Sequence, residues 1–257
     1  YHIQKEGEKR LFKGITFHFN GGVTMALLKK EILISTRNMK GVLWFLFLIS
    51  IWLAQIGTNV ILSHNIQKYQ PDITQKIAIL QALQFIIAIY FICSFTLRFA
   101  FPSFSTEKKT AWILGGAPLN FRKIFIGKYV FYTSFFTAVG LIMSLINARV
   151  LHLDLIPAMH SVLLFVSTVI FVVTFGLILG LVFPSLDSDD PEVISTSMPG
   201  LFFTALSLLY GALSAWILYA SLSTGMVVPL YGFIILTLLL VGVMLLSAPC
   251  LTKNRGW

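Results

Sequence analysis

Between Arg98 and Lys128 the chain reads RFAFPSFSTEKKTAWILGGAPLNFRKIFIGK, and this stretch gathers the side chains best suited to strong polar contacts. It holds Arg98, Lys108, Lys109, Arg122, Lys123 and Lys128, six of the 19 Lys and Arg, together with the lone acid Glu107 and with Trp112. Charges of both signs beside a large amphipathic ring are the material of a docking surface, since ion pairs orient a partner and the indole supplies buried area. The pattern predicts a short helix over Thr106–Leu114, a break at Gly115-Gly116 and a new start at Pro118. From Pro118 to Lys128, Phe121, Ile124 and Phe125 alternate with Arg122, Lys123 and Lys128, which predicts a basic amphipathic helix lying at an interface. Two roles stand open for the stretch, an anchor on lipid headgroups and a surface on which another protein docks. Trp112 and Glu107, which an anchor does not need, favour docking.

Elsewhere the sequence offers no catalytic constellation. There is no Gly-x-x-x-x-Gly-Lys-Ser/Thr loop to cradle phosphates, no Gly-x-Ser-x-Gly elbow and no His-Glu-x-x-His pair. The five His (His2, His18, His64, His152, His160) are scattered, and Cys93 and Cys250 lack metal-ligand spacing or an evident disulfide partner. The expectation is a chain that is not an enzyme, with no metal and no cofactor of its own. The polar residues inside the apolar runs are mild: Gln55, Asn59, Gln81, Gln84 and Asn147. They read as joints between helices in the first instance and as substrate contacts in the second. Acids and bases are almost missing from the runs, which argues against a proton relay or an ion-coupled carrier.

The elements that must carry these residues follow from composition. The chain is 57% hydrophobic and 11% charged, too apolar to be coated by its own polar groups. Apolar runs of about 20 residues predict membrane-spanning helices, placed here at about 42–62, 77–101, 129–150, 161–183, 201–222 and 230–248. The fold class expected is therefore an all-α integral membrane protein with six spans over 42–248. A basic leader precedes it over 1–41 and a short tail follows over 249–257. Within the leader, Met25, Leu28, Ile32 and Met39 fall on one helical face, which suits either an interfacial helix or an unstructured basic segment. Because Tyr1 is not Met, a segment is expected upstream.

Sixteen of the 19 Lys and Arg lie on the side of the leader, the stretch after the second span and the tail; only Lys68, Lys76 and Arg149 lie opposite. That asymmetry places both ends and the central stretch in the cytoplasm. The positive charge thus reports topology, and no nucleic-acid partner is expected. Two further signals are a repeat and a motif. FAFPSFSTE from Phe99 resembles LVFPSLDSD from Leu181, each read as a proline stop at the cytoplasmic end of a span. Gly176 and Gly180 form a Gly-x-x-x-Gly that permits close helix approach.

FPSFSTEKKTAWILGGAPLNFRKIFIGKY resembles the loop after the second helix in permeases of ATP-binding-cassette exporters of the second type, in particular the large bacterial ones. FPSLDSDDPEVISTSMPGLFFTALSLLYG is similar to their loop before the fifth helix, and MALLKKEILISTRN to the segment leading into a six-helix half. The likeness runs from Met25 onward; Asn38 departs from it, standing where an acid followed by Pro is usual, and the chain is about half the expected length. The resemblance implies the C-terminal half of a permease in the bacterial inner membrane, working with an upstream six-helix half or a second permease subunit. ATP would be bound by a separate cytoplasmic ATPase. It implies that the loop between the second and third helices couples the two, with Glu107, Lys108, Lys109, Trp112 and Pro118 at the ATPase. Arg122, Lys123 and Lys128 would hold the next helix at the membrane lipids. Pro184, Asp187, Asp189, Asp190 and Pro191 would offer a second cytoplasmic contact. The alternative is a membrane anchor or assembly subunit that binds partners and transports nothing.

Overall fold

The computed structural model describes residues 39–69, 73–105, 121–184 and 191–253. A chain with no water to satisfy its backbone must close its hydrogen bonds within each segment, and helices do so. Among the described residues every regular element is helical: α1 (Met39–Tyr69), α2 (Ile73–Phe95), α3 (Phe121–Val150), α4 (Leu155–Val182), α5 (Pro191–Ser195), α6 (Met198–Thr224) and α7 (Val228–Lys253). A π-helical turn over Thr96–Ala100 and a 3-10 turn over Phe101–Ser103 extend α2 without interruption. Five helical stretches are long and apolar enough to cross a membrane: Gln75–Ser103, Ile124–Val150, Leu155–Val182, Met198–Thr224 and Val228–Ala248; α1 adds a shorter apolar stretch, Ile49–Ile61. The protein is a multi-pass membrane protein.

Several helix ends differ from those expected. The basic segment before Tyr129 is not a separate surface helix from Phe121 onward; it forms the first two turns of α3. Nothing in Phe121–Val150 breaks a helix, and Phe125, Lys128, Tyr132 and Phe136, at helical spacing, all lie on its buried side. α4 begins at Leu155, six residues before the expected span, and takes in Pro157. A proline in the first turn removes no intrahelical bond. α6 begins at Met198, where the Ser197 hydroxyl accepts from the Gly200 N–H at 3.4 Å, and stops at Gly225, which supplies φ +71°. The second span, expected to end at about Phe101, stays helical through the turns that follow, to Ser103.

The core lies around α4, which packs on α3, α6 and α7 as well as on the turns ending α2, while α2 packs most extensively on α6. Phe95, Phe101, Phe136, Phe165 and Phe203 are fully buried there. Edge-to-face and stacked pairs join separate helices: Phe85 with Phe165 at 5.3 Å between ring centroids, and Phe101 with Phe203 at 6.2 Å. Without a hydrophobic force between helices in lipid, such contacts depend on close approach, and small residues permit it. A Cβ at Gly211 would meet the Ile89 side chain at 2.6 Å, and one at Gly176 would meet the Thr96 methyl at 2.6 Å. A Cβ at Gly180 would overlap the Phe101 carbonyl oxygen, an obstacle of backbone that cannot rotate away.

The Gly-x-x-x-Gly of α4 therefore seats the end of α2. We expect Gly180→Ala to destabilise the protein by about 1–3 kcal/mol, the range for an overpacked core. Gly232→Ala, where nothing lies within 4 Å, should be neutral or stabilising by less than about 1 kcal/mol. Thermal unfolding of both variants in one detergent checks this, and equal midpoints would remove the close approach from the account.

Candidate functional site

Proline at position 102 has no N–H to return to Arg98 and would crowd that carbonyl in a regular α-helix. The helix accommodates it by widening first and tightening afterwards. The Phe101 N–H bonds to the Thr96 carbonyl, five residues back, and the 3-10 turn follows. Phe101, Pro102, Ser103, Phe104 and Ser105 are all buried. Widened turns of this kind recur at functional positions in helices, because they redirect side chains without ending the element.

Three other elements grip this turn. From α3, the Lys128 ammonium, buried among apolar rings, donates to the Ser103 carbonyl at 3.1 Å and lies 5.3 Å from the centre of the Phe104 ring. A carbonyl dipole and an aromatic face each offset part of the cost of taking the charge out of water. Phe104 also stacks on Phe125, which stacks on Tyr129, so the exit of α2 is laminated onto the start of α3. From α4 comes the Gly180 contact. From α5, Glu192 accepts a hydrogen bond from Arg98 Nη2 at 2.8 Å. α5 is itself tucked under the start of α6, since a Cβ at Gly200 would overlap the Ser195 carbonyl oxygen. One end of the bundle is thus a clamp that binds α2, α3, α4, α5 and α6 together, and the described residues on either side of 106–120, Ser105 and Phe121, belong to this end.

The residues expected to act from the sequence fall on both sides of this clamp. Glu107, Lys108, Lys109, Trp112 and Pro118 lie outside the described residues, as do Asp187, Asp189 and Asp190. Arg122 and Lys123 occupy the first turn of α3. Lys128, expected at the lipid interface, is instead a buried fastener between α3 and the end of α2. Pro184 follows the end of α4, and Pro191 opens α5. Sequence reasoning missed Arg98 and Glu192 as partners. The sequence groups Arg98 with the charges of a docking surface, although a guanidinium so close to an apolar run is a signal of a partner within the bundle. The two FPS sites also part company. Phe101-Pro102-Ser103 continues a helix and is buried, whereas α4 ends at Val182, before Phe183 and Pro184, and Phe183 is exposed. Among the described residues no group of three or more His, Cys, Asp or Glu is placed to hold a metal ion.

Arg98 and Glu192 should couple. Arg98→Glu and Glu192→Arg are each expected to lower stability, and the double exchange to restore part of the loss. The coupling is about 1 kcal/mol, because Glu192 is half exposed and its charge is screened. A double-mutant cycle on detergent unfolding measures it, and strictly additive effects would mean the pair does not interact.

Residues 4–247 match the family model described as "Putative ATP-binding cassette". No curated protein and no solved structure matches the chain.

Proposed function

The chain belongs to this ATP-binding-cassette family, and from that premise we propose that it is a membrane-spanning permease unit of an exporter, driven by a separate cytoplasmic ATPase. The family description names a cassette, but this chain has no phosphate loop of its own. Its one Gly-Lys pair, Gly127-Lys128, is followed by Tyr129 and lies inside α3. The described residues are helical and contain no strand from which a nucleotide-binding sheet could be built. On the proposed reading, ATP is bound and hydrolysed by a partner. On this reading α1 supplies a sixth span. In this proposal the unit sits in the bacterial inner membrane with the clamp end and both ends of the chain facing the cytoplasm, a reading that the charge asymmetry supports. A second six-helix unit completes the permease.

The observation that carries the proposal is the clamp. A segment that receives force from an ATPase must be tied to the helices it moves. The described residues that flank 106–120 are held to one another, Ser103 and Phe104 before it by Phe125 and Lys128 after it. Glu107, Lys108, Lys109 and Trp112 lie within that segment and are the contacts proposed for the ATPase. Pro118, Arg122 and Lys123 lead it back into α3, and the connection from Pro184 through Asp187, Asp189 and Asp190 to Pro191 adds a second contact beside Glu192.

Purification of the tagged protein in mild detergent from its native membrane should recover an ATP-binding subunit in stoichiometric amount. Glu107→Lys and Trp112→Ala should lose that subunit while inserting at normal levels, as quantitative mass spectrometry of the membrane fraction will show. If both variants retain the ATPase and its coupled activity, segment 106–120 is not the docking element. If the intact protein never brings down an ATPase, the anchor role replaces the permease role.

A further inference from the structure

α1 turns its polar side inward. Its buried residues, among those described, are Gln55 and Asn59, one turn apart, with half-buried Trp52 preceding them on the same stripe. Leu46, Phe47, Ile51 and Leu53 face outward instead. α1 packs on α2 and α3. α2 contributes Gln81 and Gln84, 3% and 1% exposed, and α3 contributes Asn147, 4% exposed. Gln81, Gln84 and Asn147 lie in the half of the bundle remote from the clamp, where α2 begins and α3 finishes, and Gln55 and Asn59 lie in the middle and second half of α1.

These groups do not satisfy one another. Trp52 Nε1, Gln55 Nε2 and Oε1, Asn59 Nδ2, Gln81 Oε1, Gln84 Nε2 and Oε1 and Asn147 Oδ1 are all buried and have no hydrogen-bond partner on the protein. Buried Ser161, Ser167, Thr168 and Thr174 of α4, by contrast, each return a hydroxyl proton to the preceding turn. An unmatched buried polar group costs about 1–3 kcal/mol, so amides that merely join helices would be bonded to each other. The reading of these residues as joints is therefore the weaker one. The set is also uncharged: the only buried charged side chain among the described residues is Lys128, at the other end. A carboxamide presents a donor and an acceptor side by side, and another amide satisfies both at once, in one planar pair, without bringing a charge.

We propose that α1, α2 and α3 form, away from the clamp, a binding site for an uncharged amide group, with Gln55 and Gln84 as its paired donors and acceptors and Asn59, Gln81 and Asn147 completing it. On the permease reading, on which the purpose of the site rests, this is where the polar part of the exported molecule is held. The chemistry itself can be tested without that reading.

The test uses the full chain in its native membrane, freed of its own thiols by Cys93→Ala and Cys250→Ala. Single cysteines are placed by Asn59→Cys in the site and by Val172→Cys in the dry core of α4, where residue 172 is fully buried. Methyl methanethiosulfonate, small and neutral, should label position 59 at least about tenfold faster than position 172. Acetamide or N-acetyl-dialaninamide should slow the reaction severalfold, while sodium acetate or glycerol at the same concentration should not. Stronger protection by the blocked dipeptide points to a peptide backbone as the source of the amide, and equal protection to isolated amides. Gln84→Leu should abolish the protection and leave the unfolding midpoint unchanged or raised. Labelling at position 59 no faster than at 172, slowing by glycerol or acetate as strong as by the amides, or a lowered midpoint for Gln84→Leu would each overturn the proposal. Failure of the permease reading would show as absence of an ATPase on purification and would leave the labelling pattern untouched.

Discussion

A methylene at position 180 and the carbonyl oxygen of Phe101 cannot occupy the same space, and the clamp end of the molecule depends on that exclusion. Because residue 180 is glycine, the backbone of α4 lies directly against the point where α2 leaves α-helical geometry. Because α2 changes geometry there, Pro102 can stay within a continuous helical run. And because the run continues to Ser103, its last carbonyl reaches Lys128 of α3, while Arg98, held in the widened turn, reaches Glu192 of α5. These contacts are linked through one irregular turn.

The two Phe-Pro-Ser sequences show how little a local signal decides alone. In both, the proline deletes a donor. At Pro102 the loss is absorbed by the five-residue bond from Phe101 to Thr96 and by burial against α4. At Pro184 the helix has already ended at Val182, with the Phe183 N–H returning to Leu179 and the Phe183 ring exposed. The same three residues extend one helix and follow the end of another, and what differs is the neighbour. The first has a glycine facing it; for the second, no such partner is seen among the described residues.

Class and helix order were legible because the bilayer leaves one solution for the backbone, and long apolar runs announce it. The Gly-x-x-x-Gly was legible as a contact, though not its partner. Helix starts were less legible than the ends at Val150, Val182 and Ala248. Basic residues from Arg122 to Lys128 and Pro157 fell outside the expected spans, yet a proline in a first turn costs nothing, and a lysine can be buried if a carbonyl and a ring receive it. The ion pair of Arg98 and Glu192 joins residues 94 apart, and no periodicity connects them. Gln55, Gln81 and Gln84 were visible as polar residues in apolar runs. That their amides lack partners is a property of three packed helices and could not be seen in one strand of letters.

The two ends of the bundle now stand in contrast. One is charged and close-packed: Lys128 on Ser103, Arg98 on Glu192, Gly180 on Phe101. The other is neutral, with buried amides that have no partner on the protein. α2 and α3 belong to both, since α2 carries Gln81 and Gln84 at one end and the widened turn at the other, and α3 carries Asn147 and Lys128. A helix transmits displacement along its length because its hydrogen bonds run along its axis. A widened turn is the place in such a rod where geometry can change without unfolding. The clamp therefore does more than close one end of the bundle. It fixes the clamp-side ends of α2 and α3 to each other, so a displacement applied there is carried along these two helices toward the half of the bundle that holds the unpaired amides.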